Sequence, residues 1–303
     1  MSESDALPVR PFARFAAGPA LLAFSGWRLL AAAAVGAPIA LELGAAGAAA
    51  STAGDLDAFA PGALLLSDVV RRALPELSAA LKAGLVVALV LALLGLLPLG
   101  ALLSALTEPA RTPLRQHFSR AACVFPVFLG LSATLLLAQG AWLLAISICA
   151  SMLGAAVAHR GSLSILAPLG LYAVGLLGTL ELGVLLDLAR AAAVKHELRT
   201  RAALIYALST LRRSAGAASA AYFACAGASV FAIALAARLT QGLDVGRPGG
   251  WRVAAVFGVH QVALLTLVFA RYVWLKRAVA LSATSADGLG GPTPTNYSAS
   301  SQQ

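Results

Sequence analysis

The chain has 303 residues, of which 60% are hydrophobic and 12% charged, and its formal net charge is +9. A soluble domain carries about 25% charged residues, and a water-soluble core has no room for this much apolar surface, so a soluble globular enzyme or binding module is excluded. The basic residues lie between apolar runs rather than on one face, which argues against a nucleic-acid footprint and for topology determinants.

Residues 1–26 read as a cytosolic lead-in. The opening MSESD is acidic where a cleavable signal would be basic. Arg10, Phe12, Arg14 and Phe15, with Pro11 at a helix start, suit an amphipathic turn at headgroup level. The first span is expected at 27–49, with Trp27 in the aromatic belt, Arg28 snorkelling inward, Pro38 as a kink and Glu42 in the outer half. Residues 50–82 form the longest polar connection. Leu66, Val69, Val70, Leu74, Leu77 and Leu81 recur there at helical spacing, which predicts a surface-lying helix over 63–82.

Ala83 to Thr107 is a run of 25 residues without a charge, and it sets the second span at 83–106. At 1.5 Å per helical residue, roughly 20 such residues cross a bilayer core. A basic turn follows, with Arg111, Arg115, His117 and Arg120. From Ala121 to Ala158 there are 38 residues with no Asp, Glu, Lys or Arg. The run is long for one span and short for two, and reads as a third span at 122–146 plus an apolar interfacial segment. The fourth span is expected at 163–186, interrupted by Glu181. A charged linker, Asp187 to Arg213, reads as a solvated elbow, with a dedicated partner or lipid site as the alternative. The fifth and sixth spans follow at 215–237 and 253–272, joined through the Gly/Pro loop at 246–250. The fold class is therefore an all-α polytopic transmembrane bundle of six spans. Residues 1–277 form the membrane domain, and 278–303, rich in Ser, Thr, Gly and Pro, a disordered cytosolic tail.

With both termini inside, the inner segments carry 14 basic residues and the outer segments 7, with Arg28 at the boundary. That bias supports an N-in, C-in topology. Trp142 and Trp251 then mark the outer belt, and Trp27, Tyr272 and Trp274 the inner one. Lys is rare and Arg, Ala, Leu and Gly are common. That composition suggests a GC-rich bacterial source and places the chain in a bacterial cytoplasmic (inner) membrane.

The fifth span carries a small residue at every fourth position: Gly216, Ala220, Ala224, Ala228, Ala232 and Ala236. Such a stripe allows close backbone approach in lipid, within the chain or between copies. Besides the lipid bilayer, the expected partners are therefore a second copy or another membrane protein, and no nucleic acid. Cys123, Cys149 and Cys225 lie within apolar runs with no CxxC or Cys/His spacing, and read as small core residues.

Ionisable and strongly polar groups inside a membrane are functional candidates by default. Here they are Glu42, Glu181 and His260, with Gln139 and Gln261 beside them. A proton or cation path would use the first three, although they form no acidic or basic ladder. Gly130-Leu131-Ser132 with His260 is the one serine–histidine combination that would suit an intramembrane protease, and the three-residue match carries little information. No HExxH, P-loop or Gly-rich phosphate cradle occurs. No catalytic, metal or cofactor residue is assigned, and no enzymatic activity is expected.

The most distinctive local sequence is LLDLARAAAVKHELRTRAALIYALSTLRR, Leu185 to Arg213. Asp187 and Arg190 are spaced to pair on one helix face, as are Glu197 and Arg201. A span ending in D-x-A-R, then a basic helix with paired arginines, then an Ala-rich span, resembles a loose group of bacterial six-span proteins of unassigned function. That group is similar to the membrane domain of some glycerophosphodiester phosphodiesterases. The resemblance implies an integral membrane domain without known catalytic residues. The expected role is a non-enzymatic membrane component or scaffold, with a small-molecule or ion transporter as the alternative. A transporter would often show paired halves, broken helices and polar midplane sites, whereas here residues 1–150 and 151–303 show no internal similarity and midplane polarity is sparse.

Overall fold

The computed structural model describes residues 17–50, 78, 82–108, 112–157, 159, 161, 163–241 and 250–287, and among them there is no strand. Among these residues six helices long enough to span follow one another: α1 (Gly18–Ala50), α2 (Lys82–Thr107), α3 (Leu114–Ala156), α4 (Leu163–His196), α5 (Thr200–Gln241) and α6 (Gly250–Asp287). Each contains a stretch long and apolar enough to cross a membrane. The fold is thus the all-α, multi-pass class that the uncharged runs imply. The helix expected over 63–82 and the turn at residues 10–15 lie outside the described residues, apart from Ser78 and Lys82.

By packing, the chain divides into two compact units, Met1–Cys123 with Phe231–Val268, and Val124–Val230 with Phe269–Gln303. In the first unit, Ala17 just before α1 and Ala20 and Phe24 on it form a buried seam, and α1 packs on the second half of α2. One turn further along, Trp27 Nε1 donates to the Leu91 carbonyl at 3.2 Å. A Cβ at position 95 would meet that indole nitrogen at 2.8 Å, so glycine is the residue that fits there. The turn at Gly95 has a local cause. Pro98 has no N–H to give to the carbonyl four residues back, and α2 resumes with Leu99 N donating to Gly95 O at 3.2 Å.

In the second unit, α4 touches each of the other three helices. Consecutive helices run antiparallel. Gln139 of α3 donates to Thr179 O of α4 at 3.2 Å, and Trp142 Nε1 donates to Gly175 O at 2.9 Å. Ser219 of α5 donates to Glu181 of α4 at 3.0 Å, and Tyr206 of α5 donates to Ser282 O of α6 at 2.7 Å. Glycines on α4 make the first of these contacts close. A Cβ on Gly178 would lie 2.5 Å from Trp142 Nε1, and one on Gly175 would lie 2.9 Å from Ile146.

Three local readings change. Of the 38-residue uncharged run, Ala121 to Ala156 lies within a single helix, with no break between a span and an interfacial piece. Its Gly140 and Gly154 are isolated, and a lone glycine costs a helix only about 1 kcal/mol relative to alanine. Residues 278–287, expected to belong to a disordered tail, continue α6, because Ala278, Val279, Leu281 and Ser282 are buried. Residues 288–303 lie outside the described residues.

The third change concerns Asp187–Arg213, read as a solvated elbow. The first part, Asp187 to Val194, is buried at every residue. Ala189, Ala191, Ala192 and Ala193 explain how, since side chains ending at Cβ let neighbours approach from every direction. The chain turns only at residues 197–199, where Glu197 takes a left-handed φ of 52° just past the helix end. The remaining part, from Thr200, is the start of α5, which breaks at Ser214 (φ −127°, ψ 26°). The Ser214 hydroxyl donates to Thr210 O at 2.8 Å there, and such back-bonding accompanies helix bends.

Candidate functional site

The buried end of α4 carries a polar cluster. Asp187, whose side chain is 3% exposed, accepts two hydrogen bonds from the fork of Arg271 on α6, at 2.5 and 2.6 Å. Trp274, one helical turn further along α6, donates its indole N–H to the same carboxylate at 2.8 Å. Both carboxylate oxygens are thus occupied by a planar, bidentate partner that lysine could not imitate. The Tyr222 ring of α5 meets the Trp274 ring edge-on, with centroids 5.2 Å apart.

Arg190 sits one turn along α4 from Asp187, with its nearest nitrogen 3.7 Å from Asp187 Oδ1 and its side chain 10% exposed. Its Nη2 donates to Ser132 Oγ of α3 at 2.8 Å, and its guanidinium carbon lies 5.9 Å from the Phe128 ring centre. Its Nε is buried with no hydrogen-bond partner. The cluster therefore holds two guanidiniums and one carboxylate, and joins α3, α4 and α6 through charged hydrogen bonds. Burying ions costs several kcal/mol each unless partners of this geometry compensate. One side of the pair therefore fixes where the other must be. The expected Asp187–Arg190 pairing exists, but Arg271 is the closer partner.

A second polar group closes the turn between α2 and α3 in the first unit. Ser104 and Glu108 lie four residues apart at the end of α2, and His117 and Arg120 three apart at the start of α3. Ser104 Oγ is 3.1 Å from His117 Nδ1, and Glu108 Oε2 is 3.4 Å from the same nitrogen. Glu108 Oε1 pairs with Arg120. Serine, histidine and carboxylate are the residue types of a hydrolytic triad, but a triad uses both imidazole nitrogens, one for each neighbour. Here both neighbours converge on Nδ1, and Ser104 is fully buried, so the arrangement joins helices and offers no nucleophile.

The residues singled out in the sequence have separate fates. Glu181 is half-buried and accepts from Ser219. His260 is exposed on α6, with Nδ1 2.8 Å from the Val256 carbonyl of its own helix. Glu42 lies on α1 at a position whose side chain is outside the described ones. Ser132 donates to Phe128 O at 2.7 Å and accepts from Arg190, so its proton is held by a carbonyl and not by a base. In the fifth-span stripe, Gly216, Ala220, Ala224 and Ala228 are exposed, and only Ala236 is buried. Among the described residues no group of three His, Cys, Asp or Glu side chains could hold a metal ion.

Arg271, Trp274 and Ser104 were not singled out as site residues in the sequence. Arg271 and Asp187 are 84 residues apart. The one available signal was chemical. An acid at the end of one span needs a cation, and Arg271 ends another. No family model, curated protein or solved structure matches this chain.

Proposed function

We propose that this chain is an integral membrane component of a bacterial cytoplasmic membrane, non-enzymatic, with both termini inside, acting as a scaffold for other membrane proteins. The observation that carries this reading is the way the interior charges are used. Asp187 is saturated by Arg271 and Trp274, and Arg190 is turned onto Ser132. These side chains tie helices together. Around them, large apolar side chains such as Leu137, Leu144, Leu166 and Leu176 face outward, as a lipid environment requires. This agrees with what the resemblance implies, a membrane domain without catalytic residues.

One observation favours transport as a second reading. The cluster has more cation than anion, and Arg190 Nε has no partner, a combination that an anionic solute would complement. The two readings separate in one preparation. Purified chain in proteoliposomes should show no flux of small anions, and pull-down from solubilised membranes should return one reproducible partner. Anion flux abolished by Arg190→Gln would replace the scaffold with a transporter.

Topology is testable by labelling. On a background with Cys123, Cys149 and Cys225 replaced by serine, Thr112→Cys and Thr240→Cys should react from opposite sides of the membrane. Reaction of both from one side would end the six-span arrangement.

A further inference from the structure

The geometry points to a binding site for the phosphate of an anionic lipid, built by Arg212 and Arg213 at the break of α5 and by Lys276 and Arg277 on α6. The inference rests on the reading of the chain as membrane-spanning. All four side chains are exposed. Two contacts tie together the helix segments that carry them. Arg212 and Arg213 lie between Tyr206 and Tyr222 on α5, while Lys276 and Arg277 lie between Trp274 and Ser282 on α6. Tyr206 donates to the Ser282 carbonyl at 2.7 Å, and Tyr222 packs edge-on against Trp274 with centroids 5.2 Å apart. The same two contacts thus bracket both basic pairs.

The level of the group along the helices also fits a headgroup. On α5 the pair directly precedes the Ser214 break, and the residues from 215 to 237 that follow carry no charge. On α6 the residues from 254 to 270 are uncharged, and Arg271, the first base after them, is turned inward to Asp187. Lys276 and Arg277 are therefore the first exposed bases beyond the apolar stretch. No acid occurs between residues 203 and 216 or between 272 and 283. A cluster of bases at the apolar boundary attracts anionic headgroups within a Debye length of about 10 Å. Free phosphate offers the same chemistry, but the position at the end of two apolar stretches selects the lipid.

The test uses the full chain in phosphatidylcholine vesicles containing a trace of spin-labelled phosphatidylglycerol or spin-labelled phosphatidylcholine. The wild type should hold the labelled phosphatidylglycerol about threefold to tenfold more strongly than the labelled phosphatidylcholine. Salt at about 0.5 M should remove most of that preference. Replacing Arg212, Arg213, Lys276 and Arg277 by glutamine should bring the ratio to about one. Arg199→Gln with Arg201→Gln, beyond the bracketing contacts, should leave it unchanged.

Should the four-fold variant fail to fold, Arg212→Lys with Arg213→Lys, which keeps the charge, must retain the preference, and the salt response of the wild type decides the rest. Equal holding of both lipids by the wild type overturns the site. So does a preference that survives the four-fold variant, or one lost on changing Arg199 and Arg201. Displacement by inorganic phosphate at matched ionic strength would assign the residues to a free anion and overturn the lipid site. Alkaline carbonate extraction of the same vesicles separates the two levels of inference. Protein retained without lipid preference refutes the site alone, whereas protein released refutes the membrane reading.

Discussion

The two ends of α4 have opposite surroundings. In the stretch 166–177, Leu166, Leu169, Tyr172, Val174, Leu176 and Leu177 are all exposed, and Gly175 under Trp142 is the buried exception. In the stretch 187–194 every residue is buried, including Asp187 and Arg190. Large apolar side chains point outward at one end, while alanines and charges are enclosed at the other. In water this would be inverted. In lipid it is coherent, because leucine gains nothing by leaving hydrocarbon, whereas small residues permit close helix approach and charges must find each other. Residue size and pairing, rather than hydrophobicity, separate inside from outside along this helix.

Substitutions at the two ends should therefore differ in size and in sign of cause. The largest effect is expected for Asp187→Ala, which leaves Arg271 and Arg190 without their carboxylate and should destabilise by about 3–5 kcal/mol in denaturant unfolding in mixed micelles. Ala192→Leu puts three further carbons into a fully enclosed position and should cost about 1–3 kcal/mol, seen as a lowered midpoint. Gly178→Ala comes next. Its Cβ would meet Trp142 ring atoms at 2.5–2.8 Å, so the indole must shift and its bond to Gly175 lengthen, which a change in tryptophan fluorescence would report. Tyr206→Phe removes one hydrogen bond to the Ser282 carbonyl and should cost about 0.5–1.5 kcal/mol. Leu176→Ala, at the outward-facing end, should stay within about 0.5 kcal/mol of wild type. A large loss there would mean that this face packs on protein, and the contrast between the two ends would fail.

The sequence carried the long-range frame of the fold and little of its interior. Uncharged runs identify crossings because charged side chains are costly in hydrocarbon, and the crossings are helical because backbone polar groups in lipid must be satisfied within the segment. The lateral order of the helices leaves no such trace. Ala189–Ala193 reads as linker because alanine has neither the bulk nor the periodicity that marks a buried face. Asp187 was legible as the partner of Arg190, three residues on, and not of Arg271, because the former spacing is local and the latter depends on how α4 and α6 lie. Glu181 and His260 stood out as polar groups in apolar runs, yet each is accommodated by a nearby hydroxyl or carbonyl. The turn group at Ser104, Glu108, His117 and Arg120 had a signal in its spacing, two pairs facing each other across a short connection, which passed as a basic turn.

The most direct test is a double-mutant cycle on Asp187→Asn and Arg271→Gln, with unfolding measured for both single variants and the double. If the pair fastens α4 to α6, each single change strands a buried partner, and the double should be more stable than the sum of the two losses allows, by about 2 kcal/mol or more. Strict additivity would show that Asp187 and Arg271 act independently, and would contradict the interpretation of this cluster as the fastening of the bundle.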